Sequence, residues 1–135
     1  MARLSDVRRL ALALPETAEK ATYGGNASWI VNKRLFAWER PLRASDLKAL
    51  GDAAPTGVIL GVRTADLEMK DVLIASDPAV FFTIPHFDGY PAVLVRLAKI
   101  SVTALRPILV EAWLARAAKR DVAAYLRTAK RPRPR

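Results

Sequence analysis

Apolar residues at Val7, Leu10, Ala11 and Leu14 recur at the three- and four-residue spacing that lays one face of a helix on a core. Ser5 is placed to cap that helix, Asp6 favours its positive end, and Pro15 stops it. The polar stretch Glu16 to Thr22 predicts a short edge strand, followed by the turn cluster Tyr23-Gly24-Gly25-Asn26. From Ala27 to Glu39 the pattern becomes two β-branched and aromatic runs around Asn32-Lys33, which predicts a β-hairpin. With those two residues as the turn, Val31 faces Arg34 and Trp29 faces Phe36. Ala27, Trp29, Val31, Phe36 and Trp38 then share one face, and Ser28, Ile30, Leu35 and Ala37 the other. A type I′ turn needs positive φ at both positions and suits lysine poorly, so a slightly longer loop is the alternative.

Ser45 opens a short helix to Leu50, and the turn formers from Gly51 to Gly57 break it. Val58 to Arg63 reads as an inner strand, Thr64 caps a helix from Ala65 to Ala75, and Phe81 and Phe82 plug the core. Pro85 and Pro91 bracket a rim loop that holds His86 and turns at Asp88-Gly89. Ala92-Val93-Leu94-Val95 has the unbroken apolar character of a strand buried on both faces and belongs near the sheet centre. The longest helix starts at Ser101 or Thr103 and runs to Ala118, with Leu105, Ile108, Leu109, Ala112 and Trp113 on its apolar side and Pro107 in its first turns. Val122 to Leu126 adds one further turn. This order of elements describes a single α+β domain over residues 1–127, followed by a disordered basic tail over 128–135.

Composition narrows the chemistry. The 135 residues suffice for one core without staples. Cysteine is absent, which excludes disulfides and thiol catalysis and agrees with a cytoplasmic protein. Charges interrupt the amino-terminal apolar run, so it reads as an amphipathic helix and not a signal peptide, and no segment is apolar over a bilayer's width. One histidine beside Asp88 supplies too few ligands for a transition-metal site. Neither a nucleophile elbow nor a phosphate loop is present. No catalytic residue, metal or cofactor is therefore assigned, and the expectation is a protein that is not an enzyme.

Charge is uneven. Residues 1–100 hold 13 Lys+Arg against 11 Asp+Glu, and residues 101–135 hold 9 against 2, so +7 of the net +9 lies in the last quarter. Such an end attracts phosphate backbones through a salt-sensitive term that carries no base preference. The candidate nucleic-acid contacts are Lys33 and Arg34 at the hairpin tip, Arg40 and Arg43 after it, Lys119 and Arg120 at the helix end, and Lys130 and Arg131 in the tail. A second reading is a protein- or small-ligand-binding module whose cleft is lined by Tyr23, Lys33, His86, Tyr90 and Trp113. The hairpin's aromatic face either stacks bases or covers a helix as core.

Three segments in order resemble the MmcQ/YjbR family of small bacterial proteins. They are Tyr23-Gly24 with Ser28 to Ala37, Phe81 to Leu97 with its PHFDGYPAVLVRL run, and Glu111-Ala112-Trp113 leading to Lys119-Arg120. The similarity spans Leu4 to Leu126, with Asn32-Lys33 standing where similar sequences often have Gly-Lys. The resemblance implies a CyaY-like α+β fold, a single antiparallel sheet with helices on one side. It also implies DNA binding, the label such proteins usually carry, without established catalytic residues.

Overall fold

The computed structural model describes residues 1–22 and 24–130, and its centre is a six-stranded sheet in which every neighbouring pair is antiparallel. The strands are β1 (Thr17–Ala21), β2 (Ala27–Val31), β3 (Arg34–Glu39), β4 (Ile59–Arg63), β5 (Phe81–Phe82) and β6 (Ala92–Arg96), ordered β1-β2-β3-β4-β6-β5. The α-helices are α1 (Leu4–Leu12), α2 (Ala44–Leu50), α3 (Leu67–Ser76), α4 (Val102–Arg116) and α5 (Lys119–Lys130). The architecture is α+β, as the element order predicts; the unbroken apolar run Ala92–Val95 is buried throughout, but β6 lies one strand in from the β5 edge and not at the sheet centre, covered on both faces all the same. No helix among the described residues is long and apolar enough to cross a membrane.

Helix starts differ from the sequence reading in their caps. Asp6 accepts the Arg3 N–H at 2.8 Å, Asp66 accepts the Met69 N–H at 2.8 Å, and Ser101 accepts the Ala104 N–H at 3.1 Å. Carboxylates thus do the work at α1 and α3 that the hydroxyls of Ser5 and Thr64 were expected to do. Ser101 sets the start of α4, which leaves Pro107 inside that helix. Thr128 to Lys130, which composition places in a tail, continue α5; residues 131–135 lie outside the described residues.

The hairpin closes in two residues. Asn32 and Lys33 both take left-handed backbone, with φ of 51° and 60°, so the turn geometry overrides the poor fit of lysine. Val31 pairs with Arg34 as expected, but a β-bulge between Trp29 and Ile30 shifts the register, so that Trp29 faces Ala37 and not Phe36. One extra residue reverses the parity of everything beyond it. Phe36 and Ala37 therefore both enter the core under α1 and α4 with Trp29 and Val31, while Trp38 turns to the opposite face.

Both faces are consequently occupied. The larger core joins Val7, Ala11, Trp29, Phe36, Val62, Val95, Leu105, Leu109 and Trp113, with Val122 and Tyr125 of α5 against its edge. The smaller core, on the back, holds Trp38, Ile59, Phe82, Ile84, Phe87 and Leu94, with Leu42 and Leu50 packed on it. Helices are thus not confined to one side, since α2 and the Pro85–Phe87 turn close the back. On that face Gly61 lies opposite Trp38, and a Cβ placed on it would fall 2.4 Å from the indole. Gly61→Ala is expected to cost about 1–3 kcal/mol through overpacking, read as a lower urea midpoint. An unchanged midpoint would show that the indole is free to move away.

Candidate anion-binding rim and adjoining cleft

The loop between β5 and β6 is stiff at its entrance because Pro85 begins a 3-10 turn, and it is held from below by a buried lysine. Lys70, on α3 and only 5% exposed, donates from Nζ to the carbonyls of Phe87 at 2.6 Å and Tyr90 at 3.0 Å. Nothing in the sequence marks this lysine, since a single cation on a helix reads as solvated. Burial pushes its pKa below the ordinary lysine value, against a weaker opposite pull from Asp88 and Asp71. The unfolded chain therefore keeps this proton at alkaline pH where the folded chain has released it. Stability from this group rises with pH between the lowered value and about 10.4. In thermal melts across that window, wild type should gain on Lys70→Met as pH rises, and a constant difference would contradict the assignment.

Behind β3 lies a cleft of about 810 Å3, bounded by the Thr22–Asn26 turn, the Arg40–Arg43 segment and the anchored loop. Leu35, Trp38, Leu42, Phe87 and Tyr90 supply apolar and aromatic walls, and Glu39, Arg43 and His86 supply polar groups. The rings of Trp38 and Phe87 are 6.0 Å apart, and His86 meets Phe87 edge-on at 4.9 Å. Of the expected cleft residues, His86 and Tyr90 are present. Trp113 is fully buried in the larger core, its indole N–H donating to Pro15 at 2.9 Å, because it shares the apolar side of α4. Lys33 stands exposed at the hairpin turn and does not line the cleft, and Tyr23 lies outside the described residues.

Arg40 is not a free surface cation. Its Nη1 lies 3.1 Å from Asp46 Oδ2, both side chains more than nine-tenths buried, and also donates to the Pro41 carbonyl. The guanidinium sits 5.6 Å from the Phe87 ring centre, and Nη2 has no hydrogen-bond partner among the described residues. Arg43 is exposed and lines the cleft.

The cations that do gather are Arg34 at the start of β3, Arg63 at the end of β4 and Arg116 at the end of α4. Pairing of β3 with β4 begins only at Ala37 and Val62, which leaves the Leu35 carbonyl open, and Arg116 Nε donates to it at 3.2 Å. Arg63 Nη1 donates to the Tyr90 hydroxyl at 3.1 Å, with its guanidinium 5.0 Å over that ring. Burial depresses the pKa of Arg116, and the charges of Arg63 and Arg34 depress it further, partly countered by Tyr90. None of the three arginines makes an ion pair among the described residues. Lys33 is exposed beside Arg34, and Lys119 and Arg120 open α5 just past Arg116, with Asp121 3.8 Å from Arg120. The Lys130 side chain and Arg131 lie outside the described residues. Sequence reading missed Arg63 and Arg116. Each ends an apolar element, where a cation points out at the rim, and that was the available signal.

No family model matches the chain. It is 52% identical over 129 residues to the uncharacterized proteins Rv2570 of Mycobacterium tuberculosis and Mb2600 of Mycobacterium bovis, covering 93% of this chain and 97% of each relative. Among solved structures it resembles Deinococcus radiodurans protein DR2400, a DUF419 domain, with a TM-score of 0.62 at 18% identity over 84% of this chain and 78% of that one. At that identity the likeness speaks for the fold.

Proposed function

We propose, for a chain that belongs to the family of the mycobacterial proteins Rv2570 and Mb2600, a role in binding DNA through its phosphate backbone, without base preference and without catalysis. The observation that carries this reading is the group Arg34, Arg63 and Arg116, three cations held at one end of the sheet with no carboxylate paired to any of them among the described residues. Like charges gathered in this way repel, and a polyanion laid across them relieves that repulsion while releasing its counterions. Lys33 adjoins Arg34 at the hairpin tip, and Lys119 and Arg120, the latter 3.8 Å from Asp121, open α5 just past Arg116. Guanidinium groups suit the task because their fork of donors matches phosphate oxygens.

The same reading makes the chain an MmcQ/YjbR protein acting in the bacterial cytoplasm. Support comes from the fold shared with a DUF419 domain, a YjbR/MmcQ-like family, and from the bacterial relatives. The test is a salt titration of the full chain against duplex DNA of mixed sequence, with a second protein lacking residues 128–135. Affinity should fall linearly on a log–log plot, with a slope of about −0.9 per phosphate contacted. Most of that slope should survive loss of the tail. Affinity that ignores salt would overturn the proposal.

A further inference from the structure

The arginine rim and the cleft are one continuous surface, because two residues belong to both. Tyr90 takes the Arg63 hydrogen bond on its hydroxyl and presents its ring to the cleft; Leu35 takes the Arg116 hydrogen bond on its carbonyl and lines the cleft with its side chain. Their chemistry is divided. At the mouth stand unpaired cations, whereas inside stand aromatic walls, the carboxylate of Glu39, which accepts the Ala27 N–H at 3.3 Å, the exposed Arg43, and Arg40 paired with Asp46. Phosphate is favoured at the mouth, whereas inside Asp46 offsets Arg40, the charge of Glu39 stands against that of Arg43 and aromatic walls dominate, so a ligand spanning both regions is anionic outside and flat, apolar and hydrogen-bonding inside.

We infer that the cleft takes one unstacked nucleobase of a single strand whose neighbouring phosphates lie on Arg34, Arg63 and Arg116; this rests on the phosphate-binding reading above and adds the form of nucleic acid. His86 and Tyr90 are exposed, and the His86 ring and the Tyr90 ring face not covered by Arg63 offer surfaces for stacking, while Trp38 and Phe87 form the apolar floor. Thr22, Asn26 and Glu39 line the same space and supply donors and acceptors for a base edge. Arg40 also lines this space, with its Nη2 buried and without a hydrogen-bond partner among the described residues. A base in a duplex must first be unpaired and unstacked, at a cost a single strand largely avoids, so the single strand is the preferred form.

The test compares full-length protein binding to a labelled single-stranded 12-nucleotide DNA, the same strand made abasic throughout, and the corresponding duplex, each over a range of salt by fluorescence anisotropy. The single strand should bind about 5- to 150-fold more tightly than the abasic strand, the worth of one base on an aromatic platform. Tyr90→Ala should bring the single strand down towards the abasic level, and Tyr90→Phe, which removes only the hydroxyl contact to Arg63, should keep the base contribution. Trp38 fluorescence gives a second readout, since Trp29 and Trp113 are sealed in the other core. If all three nucleic acids bind alike with a common salt slope, the base-in-cleft inference fails and phosphate binding stands. If none binds, both fail.

Discussion

Replacing Asp46 by Ala is expected to remove about 3–5 kcal/mol of stability, the usual cost of leaving a buried charge without its partner. The Arg40 and Asp46 side chains are 8% and 4% exposed, and their contact is 3.1 Å. The same Asp46 oxygen accepts the Arg43 N–H at 2.8 Å, so the substitution also strips the first turn of α2 of an acceptor. Arg40 already carries an unpartnered Nη2, and the Pro41 carbonyl and Phe87 ring cannot replace a carboxylate. Because α2 and the Arg40–Arg43 segment roof the smaller core, the loss should open that face before the larger core. With a total margin of about 5–15 kcal/mol for domains of this kind, such a loss reads clearly in urea unfolding. Adding Arg40→Met to Asp46→Ala should recover much of it, since two absent charges cost less than one unpaired charge. A single Asp46→Ala variant as stable as wild type would mean that water reaches Arg40.

The elements were legible because their periods are clean. Apolar spacing placed α1 and α4, β-branched runs placed β2, β3, β4 and β6, and Asn32-Lys33 placed the hairpin turn. The bulge was not legible, because one unpaired residue leaves no mark in a pattern of period two, and Trp38 consequently sits on the opposite face from the one that strict alternation assigns. Arg40 read as a surface cation because its partner Asp46 lies in another element, and pairing across elements leaves no local signature. Lys70 was invisible for the same reason, its acceptors being backbone carbonyls 17 and 20 residues away. The loop with His86 and Tyr90 was legible as a rim feature from its prolines. Arg63 and Arg116 become neighbours only when β4 and α4 end at the same edge, which no count of charge along the chain contains.

Neutralising Arg34, Arg63 and Arg116 together is expected to have the largest effect on DNA binding, larger than deleting the tail. If each meets one phosphate, the triple Gln variant should lower the log–log salt slope by about 2.7. The effect comes from charge and not from folding, since Arg34 is exposed, Arg63 and Arg116 are half-buried, and none contributes to either apolar core. A triple Lys variant should keep most of the slope while losing the fixed contacts to Leu35 and Tyr90. Cooperative thermal unfolding of both variants secures the comparison. The most direct measurement is therefore the salt dependence of duplex DNA affinity for wild type beside Arg34→Gln/Arg63→Gln/Arg116→Gln. A slope shallower by about three phosphates in the variant is the predicted result; two superimposable slopes would contradict the arginine rim as the binding surface.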